Sequence, residues 1–243
     1  MKTLGLIGGM SWESTAVYYR LLNEGTRRRR GELHSAKLLL WSFDFAEIAG
    51  EQAAGHWDAL TGAMIDAGRR LQRAGAEGLV ICTNTMHRMA EDIERSVPIP
   101  LIHIADATAH AIHAAESRRP ALLATRFTME QNFYVDRLRL RHGIDTVVPD
   151  SPMRDLIHGI IYEELCRGIV RAKSRNAYRA IIRKLQEKGA DGVIFGCTEI
   201  SLLLSQADVD VPVFDTTALH AAAALDFALA DTPVAAPRAT STP

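Results

Sequence analysis

The sequence predicts an α/β protein made of two similar, pseudo-symmetric domains, each a parallel sheet with helices on its faces, and with the active site between them. Three observations predict it. Short apolar runs alternate with amphipathic segments of helical period along the chain, as parallel sheets with crossover helices require. The stretch AGAEGLVICTNT (74–85) aligns without a gap on KGADGVIFGCTE (188–199) at an offset of 114, with Gly75, Ala76 and Gly78 matching Gly189, Ala190 and Gly192. LIGGM then falls on LLATR at an offset of 116 and IPLIHIAD on VPVFDTT at 112, so three near-equal offsets recur in chain order.

The elements follow in order. Thr3 to Ile7 reads as a buried strand, followed by a Gly turn and a helix capped by Ser11. The run Arg27 to Arg30 before Gly31 reads as a solvated helix end that complements the helix dipole. AKLLLWSFDF is strand-like, and Trp57, Leu60, Met64, Ala67 and Leu71 recur as one helix face, with Gly75 as its stop. GLVIC and PLIHIAD are further strands. After Pro120 the pattern restarts with ALLAT, a helix around Met129 to His142, and TVVPD. Leu156, Ile157, Ile160, Ile161 and Leu165 mark one helical stretch, and Tyr178, Ile181, Ile182 and Leu185 another before Gly189. GVIFGC and VPVFD close the series. The expected domains are 1–117 and 118–210, with 211–230 returning to the first and 231–243 a disordered tail.

Composition narrows the partner. The chain has 243 residues, with 28 basic and 29 acidic side chains, so no global field favours nucleic acid or an anionic membrane. No apolar stretch approaches membrane-spanning length, and the N-terminal apolar run is too short for a signal peptide. Three widely spread cysteines are not a disulfide framework, which points to a reducing, cytoplasmic setting. A small molecule is the expected partner.

In open parallel sheets the ligand crevice lies outside the carboxyl ends of the strands. The repeat pairs Thr83 with Cys197, Asn84 with Thr198, and Thr85 with Glu199, so these six positions are expected to face one another. Cys197 sits where a strand meets a helix, and the N–H groups of Thr198 and Glu199 would favour a thiolate there. Cys82 lies one position out of register and is assigned a structural role, as is Cys166 within an apolar helix. His87, one turn after Thr83, either orients a site group or is a satisfied helix histidine. GGMSWES gives neither GxGxxG nor a P-loop, so its Gly pair is expected to let Met10 and Ser11 approach a small ligand. Thr125, Arg126 and Thr128 are the counterpart contacts. No HExxH or paired Cys spacing occurs among the nine histidines and three cysteines, so no metal is expected. None of the five lysines lies where a Schiff base would be sought.

Two proton-transfer groups on opposite sides of one small site suit racemisation, in which a proton leaves one face of a carbon and returns to the other. It needs no cofactor if backbone N–H groups stabilise the carbanion. A thiolate is a usable base near neutral pH. A Thr hydroxyl is a much poorer one.

IGGMSWEST, CTNTMH, HIADAT, EEL, GVIFGCTEI and PVFDTTALHA together resemble the aspartate/glutamate racemase family of PLP-independent amino-acid racemases, especially its broad-specificity enterobacterial-type branch. The resemblance covers residues 1 to 225. It implies two α/β domains with the site between them, commonly in a homodimer, and one catalytic Cys per domain, in C-N-T and G-C-T-E motifs. Cys197 matches the second motif; Thr83 stands where the first has its Cys. The second-domain Cys is implied as base for the L-isomer. Substrate contacts are implied at Met10, Gln52, Asn84, Thr85, Thr125, Thr198 and Glu199. In WSFDFAEIAGEQ, Asp44, Glu47 and Gln52 stand where some members place a basic residue, which favours a polar neutral substrate such as homoserine, or glutamate held mainly by backbone. The alternatives are another isomerase or decarboxylase of the superfamily, and a non-catalytic amino-acid-binding protein.

Overall fold

The structure, a computed structural model, describes residues 1–31 and 33–230; the tail expected to be disordered lies outside the described residues. The first half runs β1 (Leu4–Gly8), α1 (Trp12–Arg30), β2 (Leu38–Ser42), α2 (Phe45–Ala54), α3 (Trp57–Arg73), β3 (Gly78–Ile81), a 3₁₀ segment (Thr85–Met89), α4 (Ala90–Ser96), β4 (Leu101–Ile102) and α5 (Ile104–Ala114). The second runs β5 (Ala121–Ala124), α6 (Arg126–Glu130), α7 (Phe133–His142), α8 (Ser151–Glu163), a 3₁₀ turn (Leu165–Arg167), α9 (Ala172–Glu187), β6 (Val193–Gly196), α10 (Ile200–Leu203), a 3₁₀ turn (Gln206–Asp208), β7 (Val213–Asp215) and α11 (Thr216–Leu229). Both sheets are wholly parallel, ordered β2-β1-β3-β4 and β5-β6-β7.

The internal repeat reappears as strand register. Gly5 lies opposite Leu79, and Leu79 opposite Leu101; in the second sheet Ala121 lies opposite Val193, and Val193 opposite Val213. These are the same offsets of 116, 114 and 112 that align the sequences. Gly75 and Gly189, the matched stops before β3 and β6, both adopt positive φ, +101° and +88°, a region that costs residues with a Cβ. The counterpart of β2 is only a bridge between Val147 and Ala121, so TVVPD forms no strand.

Alternation along β3 builds two cores. Leu79 and Ile81 pack with Leu60, Met64 and Leu71 of α3, whereas Val80 and Cys82 pack with Leu4, Leu6, Tyr18 and Ala224 on the other face. Each fully buried Leu or Ile stabilises the fold by about 1.5–3 kcal/mol relative to an exposed one. Gly25 allows α1 and α11 to touch, since a Cβ there would lie 2.5 Å from Leu225 Cδ2.

Three expectations need correcting. The helix around Met129 to His142 is two helices, because Gln131 is extended with ψ at 132°. The segment 211–230 does not return whole to the first half: Val213–Asp215 completes the second sheet on β6, and α11 packs on α1 and α5. Asp215 makes that switch, its carboxylate accepting the Thr217 and Ala218 N–H groups at 2.9 and 3.2 Å as N-cap of α11. The apolar helix expected to reach Leu165 ends at Glu163, with a consequence for Cys166 described below.

Candidate active site

The segments leaving β1, β3, β5 and β6 converge on one cleft. Its walls carry Met10, Phe45, Gln52, Thr83, Asn84, Thr85, Thr125, Ile161, Tyr162, Cys166, Gly196, Cys197, Thr198 and Glu199. Every residue that the family resemblance implies as a catalytic group or substrate contact lines this cleft. Arg126 and Thr128 are not on its walls: Arg126 bridges to Asp155 at 3.6 Å, and Thr128 is buried behind Thr85 and Thr125.

Cys197 and Thr83 follow equivalent strands, β6 and β3. The Cys197 thiol donates to Glu199 Oε2 at 2.9 Å, and Glu199 also accepts from Thr198 Oγ1 at 2.6 Å and from Ser11 Oγ at 2.7 Å. Ser14 and Thr198 share a short hydroxyl contact alongside. Burial, then the Glu199 carboxylate and Cys166, push the Cys197 thiol well above the ordinary range. A positive group brought next to it would favour the thiolate.

Thr83 is half-buried, and its hydroxyl has no partner among the described residues. Its carbonyl is held from behind by His87 at 2.8 Å. Ile104 N–H donates to the other ring nitrogen, Nε2, at 3.2 Å, so the ring hydrogen must sit on Nδ1 and point at Thr83. Asn84 donates to Thr216 Oγ1 at 3.0 Å, while its own buried Oδ1 has no partner. Thr85 and Thr125 hydroxyls meet at 3.0 Å, joining the two halves. Tyr162 donates to Gln52 Oε1 at 3.2 Å and stacks with Phe45, closing the remaining end.

Cys82 is fully buried against α1 and α11 and its thiol is pushed up by burial, so it has no access to the cleft. Cys166, expected in the core, packs against its edge and also lines the cleft. The 3₁₀ turn after α8 puts it on the cleft wall, where burial and then the Glu199 carboxylate push its thiol up. Sequence periodicity carried no sign of this, because Leu165 continues the apolar spacing. Tyr162, Phe45 and Ile161 were also missed: Ile161 and Tyr162 fall within an apolar helical stretch, and Phe45 ends the strand-like run AKLLLWSFDF.

The sequence pattern of the Asp/Glu/Hydantoin racemase family matches residues 7–224. The chain belongs to that family. It is similar to a putative Asp/Glu racemase from Yersinia pestis, at 54% identity over 94% of this chain and 100% of that one, with a TM-score of 0.88. An aspartate racemase homologue from Pyrococcus horikoshii is 35% identical over 94% of this chain and 99% of that one, with a TM-score of 0.82. The broad specificity amino-acid racemase RacX of Bacillus subtilis is 22% identical over 88% of this chain and 93% of its own. The two-sheet α/β architecture described above is the fold of these racemase structures. Homologues in the family are thus named amino-acid racemases.

Proposed function

We propose that the protein is a cofactor-independent amino-acid racemase in which Cys197 is the base for the L-isomer and Thr83, or a water it holds, serves the opposite face of the α-carbon. The observation that carries this reading is the placement of Thr83 and Cys197 at the ends of equivalent strands in the two sheets, both on the wall of one cleft. In the forward step the Cα–H bond breaks as an S–H bond forms on Cys197. The electron pair moves into the substrate carboxylate, and a proton arrives at Cα from the Thr83 side.

Asn84 Oδ1, a buried acceptor with no donor, suits an α-ammonium group. That cation would also draw the Cys197 thiol toward thiolate. The hydroxyls of Thr85, Thr125 and Thr198 suit the α-carboxylate. No Arg, Lys or His stands among the residues that line the cleft. A second carboxylate on the substrate would therefore be uncompensated next to Glu199, which favours an uncharged polar side chain such as that of homoserine. Three free thiols support a reducing, cytoplasmic setting for this reading, and a homodimer is part of it. No helix among the described residues is long and apolar enough to cross a membrane.

The test is α-proton exchange in deuterated water, followed by NMR, with L- and D-homoserine, aspartate and glutamate supplied separately. Faster exchange of L-homoserine than of its D-partner, and silence in Cys197→Ser, is the expected result. No exchange of any of the six would leave an amino-acid-binding protein instead.

A further inference from the structure

We propose that a second cavity, behind the substrate cleft, binds a small oxyanion, a carboxylate or phosphate, and bears on Thr83 through His87. The cavity holds about 250 Å³ between the 3₁₀ segment with the start of α4, the first turn of α5, and α7. Two side chains on its wall carry N–H groups that no other described residue accepts. His103 is 5% exposed, and its Nδ1 accepts the Ala105 N–H at 3.1 Å, which leaves the ring hydrogen on Nε2. That Nε2 has no partner among the described residues, and His103 is one of the residues lining the cavity.

The Arg137 side chain is 8% exposed. Its Nε and Nη2 grip the two oxygens of Asp106 at 2.7 and 2.6 Å, so the fork is fixed and Nη1 is left over without a partner among the described residues. Arg88 also lines the cavity, its guanidinium over the Trp57 ring at 4.3 Å. The two acids on the wall are already matched, Glu91 with Arg141 at 3.7 Å and Asp136 with Arg139 at 2.8 Å. Two buried side chains with unpaired N–H groups thus share the wall of one cavity. Imidazole and guanidinium N–H groups together recognise an oxyanion, and Phe133 and Leu140 flank it with apolar surface for an organic stem. The positive field agrees with this: Arg137 and Arg141 add to burial in holding His103 down at about 2.

The cavity is one ring away from the candidate catalytic strand end. His87 lines it, lies 4.7 Å from His103 between ring centroids, and donates to the Thr83 carbonyl. An oxyanion drawing on His103 and Arg137 shifts the ring pair that fixes Thr83. Binding does not depend on the racemase reading, whereas an effect on exchange does.

The experiment is NMR of the full chain with ¹³C-labelled histidine rings and ¹⁵N backbone, titrated with sodium phosphate and, separately, sodium citrate, each against sodium chloride of equal ionic strength. A saturable shift of His103 with either anion, half-complete at about 1 mM or below, and accompanied by a shift of the Thr83 amide, is expected. Saturation by phosphate alone assigns a phosphorylated ligand, and by citrate alone a carboxylate. His103→Asn keeps a side-chain oxygen for the Ala105 N–H while removing the donor, and should weaken binding at least tenfold; Arg137→Lys, which keeps a charge beside Asp106, should do the same. No saturable shift, an equal response to chloride, or unchanged affinity in both variants would overturn the site. Binding with a silent Thr83 amide would overturn its link to His87.

Discussion

Cys197 and Glu199, two residues apart on the turn after β6, are joined by a hydrogen bond from the thiol to Oε2 of 2.9 Å, and the carboxylate is buried with two further donors, the Thr198 and Ser11 hydroxyls, turned toward it. Only a carboxylate accepts from all of these at once. Its charge opposes thiolate formation on Cys197, so L-isomer exchange is expected to rise with pH as the thiol ionises. Glu199→Gln removes the charge and keeps the shape. The midpoint of that rise should move to lower pH by about one unit or more, and iodoacetamide should alkylate Cys197 faster at a fixed pH near 8. An unmoved midpoint would mean that Glu199 does not set the thiol.

Thr83 and Cys197 occupy matching positions with unequal chemistry. A hydroxyl is a far weaker base than a thiolate, so Thr83→Cys should raise exchange of the D-isomer, by about 10²-fold if the group acts as general base. Thr83→Ala should depress it further. Neither variant moves the equilibrium between isomers, which no catalyst alters. Single-turnover exchange of each isomer in deuterated water reads both effects; equal D-isomer rates in Thr83→Cys, Thr83→Ala and the parent would remove Thr83 from the chemistry.

Much of this site was legible before any coordinates. The repeat alone put Thr83, not Cys82, opposite Cys197, because strand register and sequence offset are the same quantity once two units share a fold. The glycines at 75 and 189 were readable for the same reason: positive φ leaves a mark in composition. Cys166 was not legible. Where α8 tightens to a 3₁₀ turn depends on how Glu164 is bound, by Ser174 at 2.5 Å and Arg171 at 3.3 Å, and such tertiary contacts leave no periodicity behind. The empty donors of His103 and Arg137 were hidden likewise, since α5 and α7 meet only in the fold.

His87, His103 and His220 form a buried chain, with ring centroids 4.7 and 5.4 Å apart about His87. All three are held neutral by their partners. His87 Nε2 faces the Ile104 N–H, His103 Nδ1 faces the Ala105 N–H, and His220 Nδ1 accepts the Tyr18 hydroxyl at 2.7 Å while its Nε2 donates to the Ile102 carbonyl. Burial pulls His220 down to about 4 and His103 to about 2, and lowers His87 well below the usual range. The unfolded chain binds these protons first. Stability is therefore full above the ordinary histidine value of 6.5 and is lost as pH falls below it, with a slope of about 1.4 kcal/mol per pH unit for each histidine once it is engaged. The carboxylates held low, Asp106 and Asp191, act only further down. Urea unfolding between pH 7.5 and 4.5 measures this; a flat profile across that range would contradict the neutral cluster.

The neutral end of the cleft yields the last prediction. Gln52, 4% exposed, donates to Met86 Sδ at 3.2 Å and accepts from Tyr162, so it links the first half of the chain to α8 where a substrate side chain would point. Gln52→Arg places a cation there. Its charge would pair with a distal carboxylate in a cleft that excludes much of the solvent, where truncating or adding one partner of a charge pair is worth about 2–5 kcal/mol. Exchange of L-aspartate or L-glutamate should rise relative to L-homoserine by at least about tenfold, with homoserine exchange itself falling. Because the larger side chain must find room beside Met86 and Tyr162, Gln52→Lys serves as a second, slimmer cation, and near-ultraviolet circular dichroism reports whether either variant stays packed. If both fold and the preference among the three amino acids stays where it was, the side-chain end of the substrate lies elsewhere in the cleft.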